Sequence, residues 1–418
     1  MPIIEIISLI GSIVAILTAL WGVWHQARTL RQKDIEIRHQ IELDWKEFRE
    51  KYTSTETRTK DWLDDLGEPI EPQDDLHEEI GFPYLAGAPV RRLDLFYGRK
   101  DLLDEGIKCA NGMQMASMSI LGARKAGKTS FLRFLESSLV DRYPQIVPVY
   151  LDAQTPFDSS ENFYAYMLRE TMQALEKRKK NIARAPDLPK EVPFEMLGDF
   201  LEQASSKQWR FLMLLDELEN LVKDGSPFNE KFFSALRSLI QKGQVGWVTA
   251  SYRFVYMPHT TTSPFSNIIQ ETHYVGSLSH QDARRLVTEP AARFGHFYDK
   301  EDLDFIIKIA GRMPFMIQKA SLLLYKSHIN GLNGKEARLH VTNSFSLETQ
   351  NYFDSQLSYL TEEEYKTLIQ VSRHSFAECD PATIAILENY GFIEQLNDEY
   401  QVLGQTFDDY LYRRSKSV

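Results

Sequence analysis

Residues Gly122 to Ser130 (GARKAGKTS) fit the pattern G-x-x-x-x-G-K-[ST], a spacing that suits a loop built to hold phosphate. Gly122 and Gly127 permit a tight turn whose amides face the phosphates. Lys128 reaches the β and γ phosphates, and the Thr129 hydroxyl ligates magnesium. The whole loop (Gly122, Ala123, Arg124, Lys125, Ala126, Gly127, Lys128, Thr129 and Ser130) is therefore the candidate nucleotide-binding set. About 90 residues later, FLMLLDELEN (211–220) is an apolar run that ends in Asp216 and Glu217. Asp216 would hold magnesium through water, and Glu217 would orient or deprotonate an attacking water. A third candidate, Arg253 in VTASYR, ends another apolar run. There it could read a γ phosphate and stabilise charge during phosphoryl transfer, and its plain alternative is a surface arginine. Thr249 and Ser251 are weaker candidates for a polar contact at the same place.

These groups need a sheet to present them. The apolar segment Met118 to Leu121 before the loop and the pattern of Phe131, Leu132, Phe134 and Leu135 after it give the strand, loop and helix order that a phosphate site requires. Ile146–Leu151, the run 211–216 and Val245–Ala250 read as further buried parallel strands. Glu161–Lys179 and Phe228–Ile240 read as helices. The segment KKNIARAPDLPKEVP between them is an irregular connector punctuated by prolines.

The chain has 418 residues, 43% hydrophobic and 26% charged, enough for two or three domains with their own cores. A net charge of −11 gives no blanket attraction to nucleic acid. Two cysteines, Cys109 and Cys379, argue against disulfide stapling and a structural zinc site. One local feature breaks the average: from Ile6 to Trp24 no residue is charged, and at about 1.5 Å per residue such a run nearly crosses a hydrocarbon core of roughly 30 Å. A signal peptide fits poorly, because Glu5 precedes the run and no Lys or Arg does. A buried or oligomer-forming helix is the other alternative. Trp21 and Trp24 suit a membrane interface, and Arg28, Arg31, Lys33 and Arg38 beyond the run put the C-terminal part on the cytoplasmic side. The expectation is a single-pass membrane protein that contacts lipid through residues 6–24. Residues 28–50 carry a narrow apolar stripe (Leu30, Ile37, Ile41, Trp45, Phe48) that either self-associates or packs on the next domain. Residues 51–79 read as a linker.

Further motifs bear a family resemblance. FPYLAGAPVRRLDLFYGRKDLL (82–103), with Phe96, Tyr97, Gly98 and Arg99 at its centre, resembles the aromatic-x-Gly-Arg segment that precedes the phosphate loop in STAND-type ATPases, the AAA-related signal-transduction NTPases. LLDELEN (214–220) resembles their acidic box, SLSHQDARRLVTEPAARFG (277–295) their first lid-helix region and GRMPFMIQKAS (311–321) their Gly-x-x-Pro lid motif. The resemblance covers about residues 80–415. It implies that Gly98 and Arg99 lie beside the adenine and ribose, that Pro314 packs near the adenine and that the arginine ending the fourth strand reads the γ phosphate. Gly311 and Pro314 could instead merely break two lid helices. No arginine finger for a neighbouring subunit is recognisable, and no repeat array follows.

In the C-terminal part, Thr361 and Glu364 form a capping box before TEEEYKTLIQVS, Asp380-Pro381 could begin a helix, and GFIEQLNDEYQVLG alternates about Asn397-Asp398 as a hairpin. This pattern predicts a winged helix. Its helix ATIAILENY has no Lys or Arg, which argues against DNA binding. The expected fold is α/β: a P-loop NTPase parallel sheet (80–275), a helical lid (276–350) and a C-terminal winged-helix domain (351–418), preceded by a transmembrane helix (1–27) and a juxtamembrane helix and linker (28–79). The expected function is a membrane-anchored switch that binds ATP or ADP with Mg2+, hydrolyses ATP, answers an unknown protein trigger and forms a homo-oligomer. A constitutive ATPase doing mechanical work at the membrane and a scaffold stabilised by bound nucleotide are the alternatives.

Overall fold

The computed structural model describes Thr59 and residues 82–90, 95–178, 185–223, 225–243, 245–253, 271–375, 379–397 and 399–416, and all but Thr59 belong to one compact unit, Leu63–Val418. The apolar run 6–24, the stripe of 28–50 and, Thr59 apart, the linker to 79 lie outside the described residues. Among those described, no helix is long and apolar enough to cross a membrane.

Five strands form the central sheet: β1 (Ser117–Leu121), β2 (Ile146–Asp152), β3 (Arg210–Asp216), β4 (Val245–Ser251) and β5 (Glu271–Tyr274). Their order is β2-β3-β4-β1-β5, and each neighbouring pair is parallel. β1 and β4 are buried along their whole length, as befits parallel strands covered by helices on both faces. Those helices are α1 (Lys100–Asn111), α2 (Lys128–Arg142), α3 (Ser160–Arg178), α4 (Phe194–Ser206), the single turn α5 (Glu219–Val222) and α6 (Glu230–Gln241). Asn229 sets the start of α6, its side chain accepting from Lys231 N–H at 3.0 Å and Phe232 N–H at 3.3 Å.

The register makes the site. Leu121 pairs with Ser251 and Leu215 with Thr249, so β1, β3 and β4 end together. The phosphate loop, the acidic pair and Arg253 follow these ends, at the carboxyl edge where ligands of parallel sheets bind.

Four helices follow the sheet: α7 (His280–Arg293), α8 (Lys300–Ala310), α9 (Pro314–Ile329) and α10 (Gly334–Leu357). α10 continues through 350/351, where the sequence places the end of the lid. Beyond it lie α11 (Glu362–Ser372), α12 (Pro381–Asn389), the antiparallel pair β6 (Ile393–Leu396) and β7 (Glu399–Val402), and α13 (Gln405–Ser415). The capping box of Thr361 and Glu364 is formed in both directions, and the Asp380 carboxylate caps α12 by accepting Thr383 N–H at 2.9 Å.

This C-terminal module lies against the lid at main-chain distance. A Cβ added to Gly404, whose φ is +92°, would come within 2.8 Å of Gly311 N, and one added to Gly311 would come within 3.0 Å of Gly404 N. Arg312 then pairs with Glu394 at 2.6 Å, and the Phe353 and Phe407 rings stack at 4.8 Å.

Candidate nucleotide site

The phosphate loop is the chain between β1 and α2. Gly122 leaves the strand so close to the neighbouring backbone that a Cβ there would lie 2.2 Å from Val275 O. Lys125 and Gly127 both take the left-handed conformation, at φ 60° and 102°, and turn the chain into the start of α2. The N–H groups at that helix start suit an anion.

Lys128 is buried, and its ammonium donates to the loop's own carbonyls, Gly122 O at 2.7 Å and Ala123 O at 3.1 Å. Burial pulls its pKa below the ordinary lysine range, against the opposing influence of Glu219, Glu217 and Asp216. The Thr129 hydroxyl donates to Asp216 Oδ2 at 2.6 Å, and the Tyr150 hydroxyl to the same oxygen at 2.9 Å. Thr129 and Asp216 are thus adjacent hard-oxygen donors from two elements. Among the described residues no cluster of three or more His, Cys, Asp or Glu side chains could hold a metal. One carboxylate and one hydroxyl fit magnesium, which keeps several waters and shares its remaining positions with substrate phosphates.

Above the loop lies a cavity of about 580 Å³ lined by Arg124, Lys125, Gly127, Lys128, Thr129, Ser130, Glu217 and Pro314 among others. A smaller adjoining cavity is lined by Arg99, Ala126, Gly127, Ser130 and Pro314, with Phe96, Tyr97 and Leu286 as its apolar wall. Ala123 and Ala126 are wholly buried and take part through their main chain. Pro314 opens α9 and lines both cavities.

Arg99 braces the loop. Its Nη2 donates to Ala126 O at 2.7 Å and to Gly276 O at 2.9 Å, tying the loop to the chain beyond β5. Enclosure pulls its pKa down to about 10, and its Nη1 is buried without a hydrogen-bond partner. Gly98 lies against Asp282 at the start of α7, where a Cβ would meet the carboxylate at 2.9 Å.

Arg253 lines neither cavity. Its guanidinium donates to Tyr359 O and pairs with Glu364 Oε2. Thr249 is committed to Ser119 at 3.1 Å, and the Ser251 hydroxyl donates to Arg253 O at 2.7 Å. The structure thus brings the loop, Asp216, Glu217 and Pro314 into one place and sets Arg253 against the C-terminal module.

Other residues at the site escape sequence reasoning. Tyr352 Oη and Gln356 Nε2 of α10 donate to Arg124 O at 3.4 and 3.2 Å, Lys125 Nζ lies 4.0 Å from the centre of the Phe315 ring, and Tyr150 shares Asp216. Glu364 is legible as a capping residue, but no local pattern reveals its partner 111 residues away.

A parallel sheet with a phosphate loop after β1 and an Asp-Glu pair at the end of β3 defines a P-loop NTPase. The chain belongs to the family Novel STAND NTPase 1 (nSTAND1), whose model matches residues 85–334. Its fold is similar to that of the Walker-type ATPase paby2304 of Pyrococcus abyssi, at 12% identity and a TM-score of 0.55, covering 78% of this chain and 99% of that one. Looser likenesses include the Aeropyrum pernix Orc1 protein, solved in complex with DNA, at 12% identity and a TM-score of 0.42 over 80% of this chain and 96% of that one. The RuvB Holliday junction branch migration motor of Thermotoga maritima stands at 12% identity and a TM-score of 0.41, over 77% and 97%. No curated protein matches.

Proposed function

We propose that this chain is an ATP-hydrolysing switch in which the bound nucleotide decides whether the C-terminal module stays attached. One observation carries the reading: Arg253, at the sheet edge where a γ phosphate would be read, is held by Glu364 and the Tyr359 carbonyl of that module.

Each group then has a task. Lys128 would exchange the carbonyls of Gly122 and Ala123 for the β and γ phosphates, with Arg124 and Lys125 adding positive charge at the cavity. Thr129 and Asp216 would hold magnesium, which when bound spreads the charge on the phosphate oxygens. Glu217, facing the cavity, would orient the attacking water and accept its proton. Pro314 and the apolar wall beyond Arg99 would receive the base.

ADP leaves Arg253 with Glu364, whereas the γ phosphate of ATP offers the guanidinium a more highly charged partner. Only such differential binding moves a two-state equilibrium. Glu364→Gln, which weakens the hold on Arg253, should raise the ratio of ATP to ADP affinity by threefold or more. Arg253→Ala should bring that ratio towards one. Titration of both nucleotides into the full-length variants measures the ratios, and ratios equal to wild type in both would end the proposal. In the full chain, residues 6–24 would anchor the switch in lipid with the C-terminal domains cytoplasmic. Clustering of opened copies would pass the signal to the membrane, and the basis for this part is the sequence of the apolar run.

A further inference from the structure

The acidic box contains a second glutamate, Glu219, that none of the tasks above employs. β3 ends at Asp216, and Glu217 takes the left-handed conformation at φ 55°. The chain then turns tightly, Asn220 N–H donating to Glu217 O at 2.9 Å and Leu221 N–H to Leu218 O at 3.0 Å. This turn is fastened to the end of β4 at two points. Leu218 N–H donates to Ala250 O at 3.0 Å, and Glu219 Oε1 accepts Tyr252 N–H at 3.2 Å. The second carboxylate oxygen, Oε2, is buried with no hydrogen-bond partner.

An enclosed carboxylate oxygen without a partner is costly to keep. The surroundings supply a reason to keep it. The Glu219 carboxylate, with Glu217 and Asp216, opposes the lowering of the Lys128 pKa by burial. It therefore belongs electrostatically to the phosphate site although it lines neither cavity.

We infer that Glu219 is a positioning residue for hydrolysis, fastening the turn that carries Glu217 to the Tyr252–Arg253 segment so that the water-orienting carboxylate and the phosphate-reading guanidinium are set by one anchor. The inference rests on the hydrolytic reading above. The phosphate loop has its own supports in Arg99, Tyr352 and Gln356, so ADP binding does not depend on this anchor. Cleavage does, because displacement of a reacting group by about 1 Å can cost on the order of a hundredfold in rate.

The test compares Glu219→Ala and Glu219→Gln in the full-length chain, measuring single-turnover cleavage of bound ATP together with the Kd of ATP and of ADP. The alanine variant should cleave at least tenfold more slowly, with the Kd of ADP within threefold of wild type. The glutamine variant, whose amide oxygen can accept the same N–H, should recover at least a third of the wild-type rate. Unchanged cleavage in the alanine variant overturns the role, and so does a glutamine variant as slow as alanine. Loss of ADP binding together with cleavage would mark Glu219 as a part of the fold only and overturn it equally. A wild-type chain that binds ATP without cleaving it removes the parent reading of hydrolysis instead.

Discussion

At the scale of single residues, the site is a set of charges held ready by local bonds. Lys128 is the plainest case: its ammonium is desolvated and rests on two carbonyls of its own loop. A charge-assisted contact to phosphate contributes about 1.5–3 kcal/mol, so Lys128→Ala should weaken ATP binding by roughly tenfold or more. Equilibrium dialysis would check it, and unchanged affinity would dismiss the assigned phosphate contact. Glu219 carries a second expectation. Burial first, and then the charge of Glu217, push its pKa up to about 7 from an ordinary 4.5. Between those values the folded chain holds a proton that the unfolded chain has released, so this group lowers stability as pH rises from 4.5 towards 7 and adds no further change above. Glu219→Gln removes that loss. Nucleotide-free melts at pH 5.5 and pH 8 should therefore differ less for the variant than for wild type, and an equal difference would show that the carboxyl titrates normally.

At the scale of elements, much of the sheet was open to sequence reading and much of what surrounds the site was not. β1 and β4 are buried throughout and β3 carries the continuous apolar run 211–215, because parallel strands are covered on both faces, and the motifs at their ends name the chemistry. β5 is a different kind of strand, with three of its four residues exposed, and it offers no such run. The phosphate loop is supported from far along the chain, by Arg99 before it and by Tyr352 and Gln356 more than two hundred residues after. Contacts at that separation leave no local period to detect. The Gly-x-x-Pro motif shows what a motif can conceal. Pro314 does line the cavities, while Gly311 receives the C-terminal module. Gly404→Ala should destabilise the chain by about 2 kcal/mol from its left-handed backbone alone, with the methyl pressing on Gly311. The lowered unfolding midpoint can be read in urea, and a midpoint equal to wild type would mean that the two backbones part freely.

For the whole molecule, membership of the nSTAND1 family and the carboxyl-edge placement of the loop, acids and arginine agree on an ATP-binding NTPase fold. The anchor rests on the sequence of residues 6–24. Removing residues 1–24 should move the chain from the membrane fraction to the soluble one after centrifugation, and a truncated chain that still sediments with membrane would sink the anchor.

The meeting of Gly311 and Gly404 has a mechanical corollary. Elsewhere between lid and module, rings and ion pairs interlock, and parting them leaves vacated sockets and stranded charges. Where backbone lies on backbone there is nothing to withdraw, and either surface can be wetted as it stands. At this one point the two blocks can part and meet again with no side chain to reseat, so resistance to opening is concentrated in the rings and ion pairs on either side.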